Sequence, residues 1–350
     1  MNFLHTADWH LGALSHPSLY RKESIDRMVS LARRLDVDFI LCAGDIFDSH
    51  VPTQRIKDHL LKKIIKYKDQ NFVFFPGNHD YEDKERTYHS LQYLKLLEDE
   101  LGNVRVLENL QDKGQSIVYD DCIICSLPEN LNADLQCEEE GKYKILVWHG
   151  IFPRLNIKNI QAEKSVKKAV ADLLEKTGAD YLALGDIHKC LQLHDRCWYP
   201  GALVQKTFAC EDGLIHVELK QNQIKTTRYD LSLPKKVTYQ VGYDEGMDTE
   251  QTVVSVIKKN APSDQYIKLV FSLPVDHWAT LDKRAILAGI QDYALDVKIV
   301  NEAPHEELRR ENLSKIKKAK TIEEELAVII EEDSYGLPSD KLLHFCKRYL

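Results

Sequence analysis

The chain has 350 residues, 43% of them apolar and 29% charged. These are the proportions of an ordinary folded protein, so collagen-like, disordered and membrane-embedded classes are excluded. No apolar run reaches the ~18 residues a bilayer span needs. The net charge of −8 excludes a protein that coats nucleic acid nonspecifically, and leaves local patches or bound cations as the ways to meet an anionic partner. At about 150 residues per domain, the length predicts roughly two domains.

The first segment, Met1 to Asp8, lacks a basic stretch followed by an apolar run, which predicts a cytoplasmic location. The eight cysteines are scattered and mostly sit in apolar runs. They are expected to be reduced, small hydrophobes. Cys122 and Cys125 form a lone CxxC inside a strand-like run, a poor setting for zinc or redox chemistry.

In chain order, short apolar runs at Phe39–Ala43, Phe72–Phe75, Ile145–Trp148 and Tyr181–Leu184 predict buried strands. Between them, Ile25, Met28, Val29, Leu31, Ala32 and Leu35 recur at helical spacing. So do Ile56, Leu60, Leu61, Ile64 and Ile65, and then Leu91, Leu94 and Leu97. This alternation predicts a layered α/β fold. A boundary falls near Leu231–Lys236. Beyond it a small α/β module is expected: strand Val237–Gly242, helix Thr249–Lys259, strand Gln265–Leu273, helix Leu281–Leu295 and strand Val297–Val300. After Pro304 the tail separates its charge. Arg309, Arg310, Lys315, Lys317, Lys318 and Lys320 precede the acidic run that starts at Glu323. Thr321 and Glu324 form a capping box, followed by the apolar stripe Ile322, Leu326, Ile329 and Ile330.

The chemistry-bearing residues fall at the ends of the strand-like runs. Asp8 and His10 follow the first, and Asp45 follows the second in Gly44-Asp45-Ile46-Phe47-Asp48. Asn78 and His79 follow the third in Gly77-Asn78-His79-Asp80. His149 follows the fourth, and Asp186 and His188 follow the fifth. In a layered α/β fold the carboxyl ends of strands share one edge, so five strand ends would deliver these side chains to one cleft. Carboxylate, imidazole and amide donors without thiolate suit Mn²⁺ or Fe²⁺, or Zn²⁺, better than Ca²⁺ or Mg²⁺. Seven candidate ligands (Asp8, His10, Asp45, Asn78, His149, Asp186, His188) exceed what one ion takes and fit two ions bridged by a carboxylate. Three carboxylates against two divalent ions leave a surplus positive charge that attracts a phosphate ester. The ions would acidify a bound water and stabilise the departing oxygen. Each piece alone is an ordinary turn or a buried histidine; all five in this order are not.

The order DxH … GD … GNHD … H … GxxH resembles the calcineurin-like metallophosphoesterases. Leu4-His5-Thr6-Ala7-Asp8-Trp9-His10-Leu11-Gly12, Ala43–Asp48, Tyr181–Lys189 and Tyr199-Pro200-Gly201-Ala202 further resemble the SbcD-type subunits of double-strand-break repair nucleases. The resemblance implies a four-layer αββα sandwich nuclease domain over 1–232, a small α/β DNA-capping domain over 235–303, and a helical tail, 305–350, that docks on an ATPase. It implies one metal on Asp8, His10, Asp45 and His188, and a second on Asp45, Asn78, His149 and Asp186, with His79 contacting the scissile phosphate. The implied cofactors are two Mn²⁺ ions, with Mg²⁺ as the alternative. The implied activity is exonuclease on duplex DNA ends and endonuclease on single strands or hairpins. The implied partner is an SbcC-like ABC ATPase with a coiled coil, bound to a homodimer of the nuclease within a heterotetramer. Asp186 stands where that family usually has His, which puts the metal preference and the rate in question. Asp186 could instead touch only the ligands, leaving the second ion weakly held.

Lys158, Lys164, Lys167 and Lys168 read either as a DNA-backbone contact or as the wet face of a helix. The remaining histidines take no role from pattern. Two rival readings stand beside the nuclease: a phosphatase or phosphodiesterase for small substrates, and a scaffold that lost one metal through Asp186. The length beyond the catalytic domain argues against the first.

Overall fold

The computed structural model describes residues 1–13, 18–82, 86, 88–110, 113–119, 121–128, 131, 142–153, 155, 164–220, 223–242, 248–260 and 264–302. The tail expected at 305–350, with its apolar stripe, lies outside the described residues, as does Lys158. The chain divides into two compact units after Lys235.

In the first unit the strands are β1 (Asn2–Thr6), β2 (Phe39–Ala43), β3 (Asn71–Phe75), β4 (Val104–Val106), the two-residue pair β5 (Asn109–Leu110) and β6 (Lys113–Gly114), β7 (Ser116–Tyr119), β8 (Cys122–Ser126), β9 (Tyr143–His149), β10 (Tyr181–Gly185), β11 (Leu191–His194), β12 (Cys197–Tyr199), β13 (Leu214–Lys220) and β14 (Gln223–Tyr229). Its helices are α1 (Ser18–Arg34), α2 (Gln54–Lys66), the one-turn α3 (Gln92–Lys95) and α4 (Glu98–Leu101), and α5 (Lys164–Thr177). Two six-stranded sheets form, in the orders β14-β13-β1-β2-β3-β4 and β11-β12-β10-β9-β8-β7. The strands β1 to β4 run parallel, as do β8, β9, β10 and β12.

The apolar runs that predicted strands are buried on both faces, and the side-chain period of two shows why. Phe39, Leu41, Val73, Phe75, Ile145, Val147, Tyr181 and Ala183 meet in the layer between the sheets. The alternate residues Ile40, Cys42, Phe72 and Phe74 face outward against Met28, Val29, Leu60 and Ile64 of α1 and α2. Leu146, Trp148, Leu182 and Leu184 face Val166, Val170 and Leu174 of α5. The expected α/β sandwich is thus present, with helices outside both sheets. The stripe Leu91, Leu94, Leu97 is cut into the two single turns α3 and α4 rather than one helix.

A polar tie crosses the inter-sheet layer. His5 on β1 donates from Nε2 to the Leu184 carbonyl at 3.1 Å and accepts at Nδ1 from the Tyr181 hydroxyl at 3.0 Å, both partners on β10. Burial drives the His5 pKa down to about 3 against the opposing carbonyl bond, so the folded chain holds it neutral. The unfolded chain takes up the proton below its ordinary value of about 6.5. The stability that neutral His5 provides is therefore complete above that pH and is lost as pH falls toward 3, at up to about 1.4 kcal/mol per pH unit. Urea unfolding of wild type and His5→Gln at pH 7 and pH 4.5 measures this. The wild type should lose about 2 kcal/mol more than the variant over that interval, and equal losses would contradict the assignment.

The second unit contains β15 (Lys236–Val241), α6 (Thr249–Asn260), β16 (Gln265–Phe271), α7 (Val275–Thr280), α8 (Lys283–Ile290) and β17 (Ala294–Asn301). A parallel sheet β15-β16-β17 packs Ile267, Leu269 and Phe271 against Val253 and Ile257 of α6 and Ile286 and Ile290 of α8. The helix expected over Leu281–Leu295 is corrected at both ends. Asp282 caps α8 by accepting from the amides of Arg284 and Ala285. At the other end Ala294 already pairs with Gln265 in the sheet. The apolar pair Ala294-Leu295 reads as helical in sequence, but ladder pairing claims it. The expectation of eight reduced cysteines also fails, because Cys125 is disulfide-bonded; Cys42, Cys122, Cys190, Cys197 and Cys210 are free.

Candidate metal centre

The carboxyl ends of β1, β2, β3, β9 and β10 converge on one edge of the two sheets. The loops after β1 and β2 run side by side, with the Asp8 amide donating to the Gly44 carbonyl at 3.0 Å and the His10 amide to the Asp45 carbonyl at 2.9 Å. Asp8, His10, Asp45 and Asp186 all take positive φ, at 53°, 43°, 53° and 96°. Side-chain-bearing residues avoid that region unless their surroundings hold them there, and such strain clusters at functional sites. Two glycines let the sheets close on each other. A Cβ on Gly44, itself at φ 98°, would enter the His149 imidazole, and one on Gly185 would strike the Ala43 carbonyl.

All eight residues singled out in the sequence meet in this pocket. Asp8, His10 and His188 bring ligand atoms within 4.8 Å of one another, as do Asp8, Asp45 and His149. Nε2 of His10 lies 2.9 Å from Nε2 of His188 and 3.6 Å from Oδ2 of Asp45. Nε2 of His188 lies 3.6 Å from Oδ1 of Asp8. On the other side, Nε2 of His149 lies 2.9 Å from Oδ1 of Asn78, 3.3 Å from Oδ1 of Asp45 and 3.9 Å from Oδ1 of Asp186. Asp45 thus turns one oxygen to each group. Asp186, in place of the usual histidine, has its amide 3.2 Å from both Asp8 oxygens, to which it donates. His79 is the outermost of the histidines, its side chain 39% exposed and its Nε2 3.9 Å from Oδ2 of Asp45.

Every imidazole presents Nε2 inward and is held from outside through Nδ1. His149 donates Nδ1–H to the Ala43 carbonyl at 2.8 Å, and His79 donates to the Asp48 carbonyl at 3.0 Å. His10 Nδ1 faces Oδ1 of Asp48 at 3.1 Å, and His188 Nδ1 faces Sγ of Cys210 at 3.5 Å. A carbonyl can only accept, so the inward nitrogens of His149 and His79 keep their lone pairs when neutral. This is the arrangement that prepares imidazoles as metal ligands.

The electrostatics show a centre built around cations. Asp8 and Asp45 are almost fully buried. Burial opposes charge on His149, yet the carboxylates of Asp45, Asp8 and Asp186 push its pKa up to about 10. Burial likewise opposes charge on His188, which Asp8 and Cys210 lift to about 10. Burial drives His10 down to about 3, with Asp45 opposing and Lys206 and His188 assisting. Burial raises the Asp186 pKa; His149 works against this rise, while Asp8 and Asp45 add to it. Protons on two imidazoles therefore balance buried carboxylates that divalent ions would balance in their place. With nitrogen and oxygen donors facing inward and the one nearby thiol on the outward side of His188, the residues fit two divalent ions of the Mn²⁺ or Mg²⁺ kind.

Four further residues shape the pocket without having been singled out as site residues in the sequence. Asp80, fully buried, accepts from the amides of Ile46, Phe47 and Gly77 at 2.9–3.0 Å and from the Ser90 hydroxyl at 3.1 Å. It ties the loop that carries Asp45 to the loop that carries Asn78. Its place in Gly77-Asn78-His79-Asp80 was the available signal. Asp48, Lys206 and Cys210 gave none that set them apart from loop polar residues. The described lysines Lys164, Lys167 and Lys168 lie exposed on α5.

A two-sheet α/β sandwich with a carboxylate–imidazole centre at shared strand ends defines a metal-dependent phosphoester hydrolase. Residues 1–190 match the calcineurin-like phosphoesterase family, more than half of the chain, and the chain belongs to it. It is 22% identical over 289 residues to the putative phosphoesterase 078R of Invertebrate iridescent virus 3, covering 79% of this chain and 78% of that one. It is 26% identical over 215 residues to the DNA double-strand break repair protein Mre11 of Archaeoglobus fulgidus, covering 54% and 46%. It is 31% identical over 85 residues to the SbcD component of the nuclease SbcCD of Escherichia coli, covering 23% and 21%. The chain thus spans less than half the length of these last two relatives. Among the described residues, no helix is long and apolar enough to cross a membrane.

Proposed function

We propose that the chain is a two-metal DNA nuclease that cleaves duplex ends and single-stranded or hairpin DNA as part of an SbcCD-like repair complex. The carrying observation is the convergence of Asp8, His10, Asp45, Asn78, His149, Asp186 and His188 from five strand ends, with Asp45 between two groups of donors. The Mre11 and SbcD similarities support DNA as the substrate.

Bound at these residues, two divalent ions would supply a nucleophile from water and charge stabilisation for an in-line displacement. The chain's own residues do the rest. Asp8 and His188 on one side, and Asn78 and His149 on the other, fix the donors. The outward Nδ1 bonds keep the imidazoles in register. His79, the most exposed of the site histidines, would pass a proton from Nε2 to the departing oxygen. The α5 lysines offer a ridge for the DNA backbone. Residues 236–302 would cap the DNA, and the tail over 305–350 would dock on a coiled-coil ATPase through Ile322, Leu326, Ile329 and Ile330.

A second reading, a phosphoesterase for small substrates, is favoured by the printed name of the relative that aligns over most of both chains. Turnover of duplex DNA and of a chromogenic phosphodiester with Mn²⁺, with and without residues 305–350, decides between them. The nuclease reading predicts Mn²⁺-dependent cleavage of DNA by both forms and partner capture by the full chain alone. Turnover of the small diester with no cleavage of DNA would favour the second reading, and partner capture by the shortened chain would refute the docking.

A further inference from the structure

A short polar network reaches the centre from outside and ends on two of its imidazoles. Lys206 lies between β12 and β13, and its Nζ donates to Oδ1 of Asp48 at 2.7 Å. The same Asp48 oxygen lies 3.1 Å from Nδ1 of His10, while the Asp48 carbonyl accepts from Nδ1 of His79 at 3.0 Å. The two rings stand 4.9 Å apart and perpendicular. Both inward nitrogens face the same Asp45 oxygen, at 3.6 and 3.9 Å. One residue thus holds the outward nitrogen of a candidate metal ligand with its side chain and that of the candidate proton donor with its main chain.

His10, Asp48 and His79 also bring ligand atoms within 4.8 Å of one another, a spacing that would suit a further cation. The Lys206 ammonium already supplies that charge. By sharing the Asp48 carboxylate it also limits how much negative charge His10 meets at Nδ1. Both Lys206 and Asp48 are mostly buried, with side chains 25% and 29% exposed, so water screens their pairing less than it would on an open surface.

We infer that Lys206 and Asp48 are positioning residues for the hydrolytic centre, their ion pair fixing the tautomer and tilt of His10 and His79 together. Neither touches the reacting atoms, and both act through the imidazoles. The inference rests on the reading that this centre hydrolyses phosphodiesters, and it adds the residues that set its geometry. Outer partners of metal-ligating histidines are worth about 10–100-fold in activity or affinity, and that is the scale expected here.

The test uses the full chain with Lys206→Met, which removes the charge and keeps the length, and Lys206→Arg, which restores the charge. One readout is kcat and KM on a chromogenic phosphodiester with Mn²⁺. The other is the imidazole ¹⁵N shifts of His10 and His79 with diamagnetic Zn²⁺ as the bound probe. Lys206→Met should lower kcat about 10–100-fold with KM changed less than about threefold, and should shift the nitrogens of both rings. Lys206→Arg should recover most of kcat and the wild-type shifts. A raised KM at unchanged kcat would make Lys206 a substrate contact and overturn the inference. Unchanged nitrogen shifts at either ring in Lys206→Met would overturn it as well. If the wild-type chain hydrolyses no phosphodiester, the functional reading falls, and the nitrogen shifts still decide whether the pair positions the imidazoles.

Discussion

Replacing Asp45 by Asn is expected to reduce phosphodiester hydrolysis by roughly a thousandfold or more and to leave at most one divalent ion per chain. Asp45 is the residue whose two oxygens face different groups, Oδ1 toward His149 and Oδ2 toward His10 and His79. An amide keeps the shape, but it substitutes a donating NH₂ for one accepting oxygen and removes one of the buried negative charges. Two divalent ions would then share a pocket with one fewer carboxylate, and their mutual repulsion would be less offset. Folding should survive, because the amide oxygen can still accept from the His79 amide, now 2.9 Å from Oδ1. Calorimetric titration with Mn²⁺ gives the stoichiometry, and thermal unfolding without metal checks the fold. Two bound ions with activity within tenfold of wild type would remove Asp45 from the bridging position.

His79→Gln should behave in the opposite way on metal. Both ions should remain, while the rate falls about 10²–10⁴-fold, the span of a lost general acid. The side chain stands at the rim, with Nδ1 committed to the Asp48 carbonyl and Nε2 3.9 Å from Asp45, farther than the Nε2 atoms of His10 and His149 stand from that carboxylate. Glutamine retains hydrogen-bonding capacity but cannot hold and release a proton near neutral pH. A diester with a good leaving group, such as a nitrophenolate, should be spared much of the loss, since its departure needs no proton. Loss of an ion from His79→Gln would instead place the ring among the ligands, alongside His10 and Asp48.

Much of this was legible in the sequence because the strands are buried on both faces. Runs such as Phe39–Ala43 and Tyr181–Gly185 have no wet side, so they stand out as uniform apolar blocks. Each ends where a polar site residue begins. Asp186 was placed by its spacing to His188 even though the residue type departs from the usual one. What failed was decided by tertiary pairing. Ala294 and Leu295 fit a helix locally but join the β17 ladder. Likewise, nothing near Asp48 in the chain reveals that Lys206, 158 positions away, closes on it. Nor does local sequence show that Asp8, His10 and Asp45 need left-handed backbone, since such strain is imposed by the neighbouring loops rather than chosen by residue type.

The central claim is that these side chains form one binuclear centre, and anomalous scattering from a Mn²⁺-soaked crystal tests it most directly. Two peaks about 3.5–4 Å apart are predicted, one beside Asp8, His10 and His188, the other beside Asn78, His149 and Asp186, with Asp45 between them. A single peak, or peaks away from Asp45, would contradict it.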